Sequence, residues 1–93
     1  MEIRVLRYFL AIAREGSITN AANFLHVTQP TLSRQIKDLE DELGKKLFVR
    51  GSHNMSLTRE GIIFYKRAEE IISMVDKTEA DFQTMEDSIA GDT

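Results

Sequence analysis

The residues best equipped for chemistry lie between positions 28 and 37. Gln29, Ser33, Arg34 and Lys37 bring an amide, a hydroxyl, a guanidinium and an ammonium group. On a helix turning about 100° per residue, Pro30, Ser33, Arg34 and Lys37 share one arc, with Gln29 at its tip. Leu32, Ile36, Leu39 and Leu43 share the opposite arc and are expected to face a core. Arginine and lysine reach phosphates or guanine edges, serine serves either, and a glutamine amide matches adenine through two hydrogen bonds. This is recognition chemistry rather than bond-making chemistry. The chain has no cysteine, which removes disulfides, thiolate metal sites and thiolate nucleophiles. His26 and His53 are isolated, and no glycine-rich phosphate loop is present. Glu40, Asp41 and Glu42 point about 100° apart on a helix and do not converge on one ion, so they are expected to face solvent. No metal, cofactor or enzymatic activity is expected. Solvation alone would also give a surface helix such a polar face, so the elements around it must decide.

Those elements read as a tight helical pair. The first helix spans Glu2 to Glu15, with Leu6, Phe9, Leu10 and Ala13 at helical spacing and Gly16 as its stop. Ser17 is placed to cap a second helix from Ile18 to Leu25, where Ala21 and Ala22 allow another helix to come close. Only His26 and Val27 separate it from a third helix, which Thr28 caps and Gly44 ends. Pro30 falls in the first turn, where its missing N–H costs nothing. So short a connection is helix-turn-helix geometry, and residues in the first half of its second helix meet base edges in the major groove. Lys46 to Arg50 and Met55 to Leu57 read as short strands around the turn-rich tip Gly51 to Asn54, a two-stranded wing. Thr58 is positioned to cap a long helix reaching about Ile89. The expected architecture is mostly α: a winged helix-turn-helix over residues 1–58, a linker and dimerisation helix over 59–89, and a hinge over 90–93.

Size and charge agree with that division. Ninety-three residues suffice for one small core. The net charge of −3 is unevenly spread: residues 1–59 hold nine bases against six acids, and residues 60–93 hold three against nine. A mildly basic head is thus joined to an acidic arm. The apolar stretch Tyr8 to Ala13 is too short for a membrane span and is followed at once by Arg14 and Glu15, so a cytoplasmic location is expected.

Ala21-Ala22, Leu25, Thr28-Gln29-Pro30, Leu32-Ser33-Arg34-Gln35-Ile36, Leu39-Glu40, Leu43-Gly44, Leu47-Phe48, Arg50, Leu57-Thr58 and Gly61 together resemble the signature of LysR-type transcriptional regulators. The resemblance covers essentially the whole chain. It implies sequence-specific double-stranded DNA binding, with contacts at the starts of the second and third helices and on the wing. Carried over by position, these are Ser17, Thr28, Gln29, Pro30, Thr31, Ser33, Arg34, Lys37 and Arg50. The wing-tip position, often basic in the family, is here His53, and Glu60 stands where a small residue commonly precedes Gly61. The resemblance also implies linker helices paired antiparallel, and beyond the hinge a further domain that binds a small-molecule effector and assembles tetramers.

The long helix carries its own pattern. Phe64, Ala68, Ile71, Val75, Thr78, Phe82, Met85 and Ile89 alternate spacings of four and three. That is a heptad seam, and it is expected to pair two copies of the chain into a homodimer. Ile62, Ile63, Tyr65, Ile72 and Met74 lie off it, and some are expected to pack on the first helix. A helix folded back on its own head is the alternative. A dimerising adaptor that binds protein rather than DNA is the alternative function.

Overall fold

A computed structural model describes residues 1–51 and 54–91, with side chains described through Met85. The elements in order are α1 (Ile3–Glu15), α2 (Ile18–Leu25), α3 (Gln29–Leu43), β1 (Phe48–Arg50), β2 (Met55–Leu57) and α4 (Arg59–Gly91). The first strand is shorter than the pattern suggests, because Lys46 and Leu47 are engaged in other contacts described below.

Each helix ends where its chemistry requires. Gly16 adopts φ 75° and returns its N–H to the Ile12 carbonyl, and Gly44 adopts φ 70° at the end of α3. Both positions favour a residue without Cβ. The core forms where α1, α3, the wing and the first half of α4 meet. Leu6, Phe9, Ile12, Leu32, Ile36 and Leu47 are its largest fully buried side chains. Phe9 is at its centre, with the Phe64 ring edge-on at 5.0 Å and Phe48 at 5.2 Å. Such aromatic pairs add about 0.5–1.5 kcal/mol beyond area burial. Ala21 and Ala22 are buried on α2, where their small size permits close helix packing.

Two side chains of α3 depart from the expected pattern. Leu43, assigned to the core arc, is 37% exposed as the final residue of α3, just before Gly44 turns the chain away. Glu40, expected to face solvent, is only 4% exposed. Its Oε2 accepts from the backbone N–H of Leu47 at 2.7 Å and of Phe48 at 3.3 Å. A carboxylate buried without partners would be expensive, and two amide donors offset that cost.

The same stretch anchors α4. The Leu47 carbonyl accepts from Thr58 N at 3.0 Å, and the Thr58 hydroxyl donates to the Lys46 carbonyl at 2.6 Å. The hydroxyl oxygen then accepts from Gly61 N at 2.9 Å, the capping bond expected of Thr58. Gly61 packs so closely on the Leu47 carbonyl that a Cβ there would collide with its oxygen.

β1 and β2 pair antiparallel, with Phe48 opposite Leu57 and Arg50 opposite Met55. α4 then runs beyond the head, giving the molecule a long dimension of 58 Å against 25 and 19 Å. Along it Ala68 is fully buried and Ile72 is the last buried position; apart from half-buried Val75, every side chain from Ser73 to Met85 is exposed. The helix continues through Ala90 and Gly91, so the first half of the expected hinge is helical, with a glycine at the end where helices tolerate one. Asp92 and Thr93 lie outside the described residues.

Replacing Glu40 with alanine strands two buried N–H groups. We expect Glu40→Ala to cost about 2–4 kcal/mol in urea unfolding, while exposed Asp41→Ala stays within about 0.5 kcal/mol. Equal costs for the two variants would contradict the anchoring role.

Candidate nucleic-acid interface

The polar surface is built from the helix starts outward. Ser17 caps α2, its hydroxyl accepting from Asn20 N at 3.0 Å. Thr28 caps α3: its hydroxyl oxygen accepts from Thr31 N at 3.4 Å and its proton is given to the Thr31 hydroxyl at 2.8 Å. Pro30 sits in the first turn of α3. The remaining amides of both first turns are left to meet an outside acceptor, and the helix dipole favours an anionic one.

With Leu32, Ile36 and Leu39 buried, α3 turns Gln29, Pro30, Arg34 and Lys37 outward, with Thr31 and Ser33 half-buried between them. The turn before α3 brings this face to the surface. His26 ends α2 at φ 60° with its N–H on the Ala22 and Asn23 carbonyls. That backbone conformation is uncommon outside glycine, although histidine adopts it more readily than most residues, as asparagine and aspartate do. It reverses the chain within two residues and so sets the angle between α2 and α3.

Five of the twelve Lys and Arg residues show two contrasting roles. Arg7 pairs with Asp76 at 2.7 Å, and Arg14 bonds Tyr65 Oη and Glu69, each at 3.2 Å. Both guanidinium pKa values are pushed upward. For Arg7 the main cause is the hydrogen bond it donates to Asp76, and for Arg14 it is the one it donates to Tyr65 Oη. These two arginines hold α1 to α4. Arg34, Lys37 and Arg50, by contrast, have no ion-pair partner among the described residues and are exposed. They stand on α3 and the wing.

The wing is fixed relative to α2. Met55 N donates to the Gly16 carbonyl at 2.9 Å, which joins β2 to the loop before Ser17. Between them lies an open polar cleft of about 640 Å³, lined by Glu15, Ser17, Thr19, Asn20, Arg50 and Asn54. Thr19 and Asn20 were not singled out from sequence; their place in the exposed first turn of α2 is the signal that marks them. Ser17 and Arg50 thus share one cleft, while Gln29, Ser33, Arg34 and Lys37 share the α3 face. His53 lies outside the described residues.

The expected seam on α4 needs correction. Phe64 packs on Phe9 and Ala68 is fully buried, so both belong to the head. Tyr65 and Ile72 join them, whereas Ile62, Ile63 and Met74 are exposed. Ile71 is half-buried against the head core, Val75 is half-buried, and Thr78, Phe82 and Met85 are exposed. The Thr78 hydroxyl donates to the Met74 carbonyl at 2.7 Å within the helix. Ile89's side chain lies outside the described residues. The fold-back reading therefore holds for the first half of α4, and a free apolar stripe remains on the second.

Residues 3–62 match the family described as bacterial regulatory helix-turn-helix protein, lysR family. The chain belongs to the LysR family. Among LysR-family relatives, it is 50% identical over 92 residues to the HTH-type transcriptional regulator BsdA of Bacillus subtilis (strain 168), covering 98% of this chain and 32% of the relative. It also superposes on the structure of a BenM DNA-binding domain with benA site 1 DNA at TM-score 0.87 and 46% identity, covering 91% of this chain and 96% of that one. A CbnR DNA-binding domain–DNA complex matches at TM-score 0.86 and 36% identity, covering 90% and 97%. The chain spans about a third of the length of the curated LysR-family relative it matches over nearly its whole extent. The family is one of transcriptional regulators, not enzymes. Among the described residues no helix is long and apolar enough to cross a membrane.

The backbone of His26 offers a test of the turn. His26→Gly removes the left-handed penalty of about 1–2 kcal/mol against a glycine entropy cost of about 0.5–1. Thermal unfolding should show a net gain of about 0.5–1 kcal/mol, and a loss would mean the imidazole contributes contacts that outweigh the strain.

Proposed function

We propose that this chain binds double-stranded DNA sequence-specifically as a homodimer, with α3 in the major groove and the wing near the backbone or minor groove. One observation carries the reading: Arg34 and Lys37 are exposed and unpaired among the described residues, on the face of α3 opposite its buried leucines and isoleucine. Gln29, Ser33 and Arg34 are assigned to base edges, and Lys37 and Arg50 to phosphates. Thr28, Pro30 and Thr31 shape the first turn of α3 and aim its amides at the backbone, as Ser17 does for α2. His53 is assigned to the wing-tip contact. The DNA complexes of the BenM and CbnR domains, similar to this chain over about nine-tenths of its length, support the reading.

Dimerisation is assigned to the outward stripe Met74, Val75, Thr78, Phe82 and Met85, which leaves large apolar side chains in water on a helix that projects from the head, with Ile71 at its inner end. A twofold pair would read a roughly palindromic site. By relation to the longer relatives, residues 1–58 form the DNA-binding unit and 59–89 the linker, at work in the cytoplasm. The rest of such a regulator would take a small-molecule effector and build tetramers.

Affinity for a duplex selected from a random pool tests the head. Arg34→Ala should weaken binding by about 1–3 kcal/mol with unchanged helical circular dichroism. Lys37→Ala should lower the slope of log affinity against log salt by about one. Full affinity in Arg34→Ala would remove its base contact, and a protein adaptor would retain no duplex at all. Sedimentation tests the arm: the parent should be dimeric and Phe82→Asp monomeric, and a parent that stays monomeric at high concentration overturns the seam.

A further inference from the structure

Among the described residues, the hydrogen-bonded contact between the head and α4 that lies furthest along the helix is an ion pair. Ile72 is the final buried position among them, and one turn beyond it Asp76 Oδ1 meets the Arg7 guanidinium at 2.7 Å. Glu79, one turn further, also acts on Arg7 through its charge. Past that point the side chains described, through Met85, are exposed. Nearer the start of α4 the helix is held by packing of Phe64, Ala68 and Ile72 and by the Arg14 contacts with Tyr65 and Glu69. Arg7 therefore holds α4 at the place where packing has ended and the free arm begins.

The geometry points to the Arg7–Asp76 pair as a positioning latch: it sets the angle at which the arm leaves the head, and through it the half-site spacing a dimer prefers. This rests on the dimeric DNA-binding reading for its consequence, though not for the latch itself. An exposed ion pair adds little to overall stability. Rocking of a helix end is opposed by few other contacts, so a small energy suffices there. The helix extends about 28 Å from Ile72 to Gly91 at about 1.5 Å per residue. A change of about 10° moves its far end by about 5 Å, more than the rise of about 3.4 Å per base pair. Two heads joined through such arms convert a small change of angle into a shift of register on the duplex.

The absence of cysteine makes the latch directly measurable. Asn23→Cys on the exposed face of α2 and Gln83→Cys on the arm admit two spin labels at exposed positions. Labelled chain diluted in excess unlabelled chain reports only the intramolecular distance. The parent should give one narrow distribution, Arg7→Ala a broadened one, and Arg7→Asp combined with Asp76→Arg a narrow one again. In parallel, the pool-selected duplex is rebuilt with one base pair added or removed between half-sites. Arg7→Ala should lower the parent's preference for the native spacing by roughly two- to fivefold, with affinity for a single half-site unchanged. A parent-like distance distribution in Arg7→Ala, or a charge-swapped chain as broad as the single variant, overturns the latch. A broadened distribution with unchanged spacing preference overturns its role in specificity. Failure of the parent to bind any duplex would defeat the DNA reading instead, while the distance measurement would still decide the latch.

Discussion

One buried carboxylate joins three parts of this molecule. Glu40 receives the amides of Leu47 and Phe48, so the end of α3 is bonded to the start of the wing. The Leu47 carbonyl then accepts from Thr58, whose hydroxyl links the Lys46 carbonyl to the amide of Gly61. The helix α3, the wing and α4 thus meet at a chain of five hydrogen bonds beside the aromatic cluster around Phe9. Packing alone is non-directional. It would bury Leu47 and Phe48 in several poses, whereas the carboxylate selects the one that aims β1 past α2. Gly61 completes the junction because any side chain there would push α4 off the Leu47 carbonyl.

The basic residues illustrate how identical chemistry serves separate ends. Arg7 and Arg14 have carboxylate partners on α4 and act within the fold. Arg34, Lys37 and Arg50 face water without an ion-pair partner among the described residues. Net charge conceals this division: the chain is acidic overall, yet α3 and the wing present three exposed cations, Arg34, Lys37 and Arg50, with no ion-pair partner among the described residues. An overall pI describes solubility and long-range steering, and it says little about which surface meets a polyanion.

Much of this was legible from residue order. Caps and stops at Ser17, Thr28, Thr58, Gly16 and Gly44 depend on local hydrogen bonding and backbone freedom, and these are read correctly within a residue or two. The α3 arc was legible because a helix sorts side chains by angle alone. Three misreadings share a different origin: each depends on where a neighbouring element stops. Leu43 lies on the apolar arc but at the last residue of α3, where no neighbouring element covers it fully. Glu40 lies beside the arc and meets two amides that only the folded chain after Gly44 brings near. Phe64 and Ala68 fit a heptad, and the head takes them before a second helix can. A helical period identifies a face, and it carries no information about which of two competing surfaces will cover it.

The hydrogen bond from Met55 to Gly16 has a consequence for any partner. It fastens the base of the wing to the loop ahead of α2, so Arg50 and the capped start of that helix move as a single jaw. The span from this jaw to the exposed rim of α3 is then a property of the protein, set before encounter. A duplex that touches both must already have a groove of that width or be deformed to it, and sequences that bend cheaply gain an advantage at base pairs no side chain reaches.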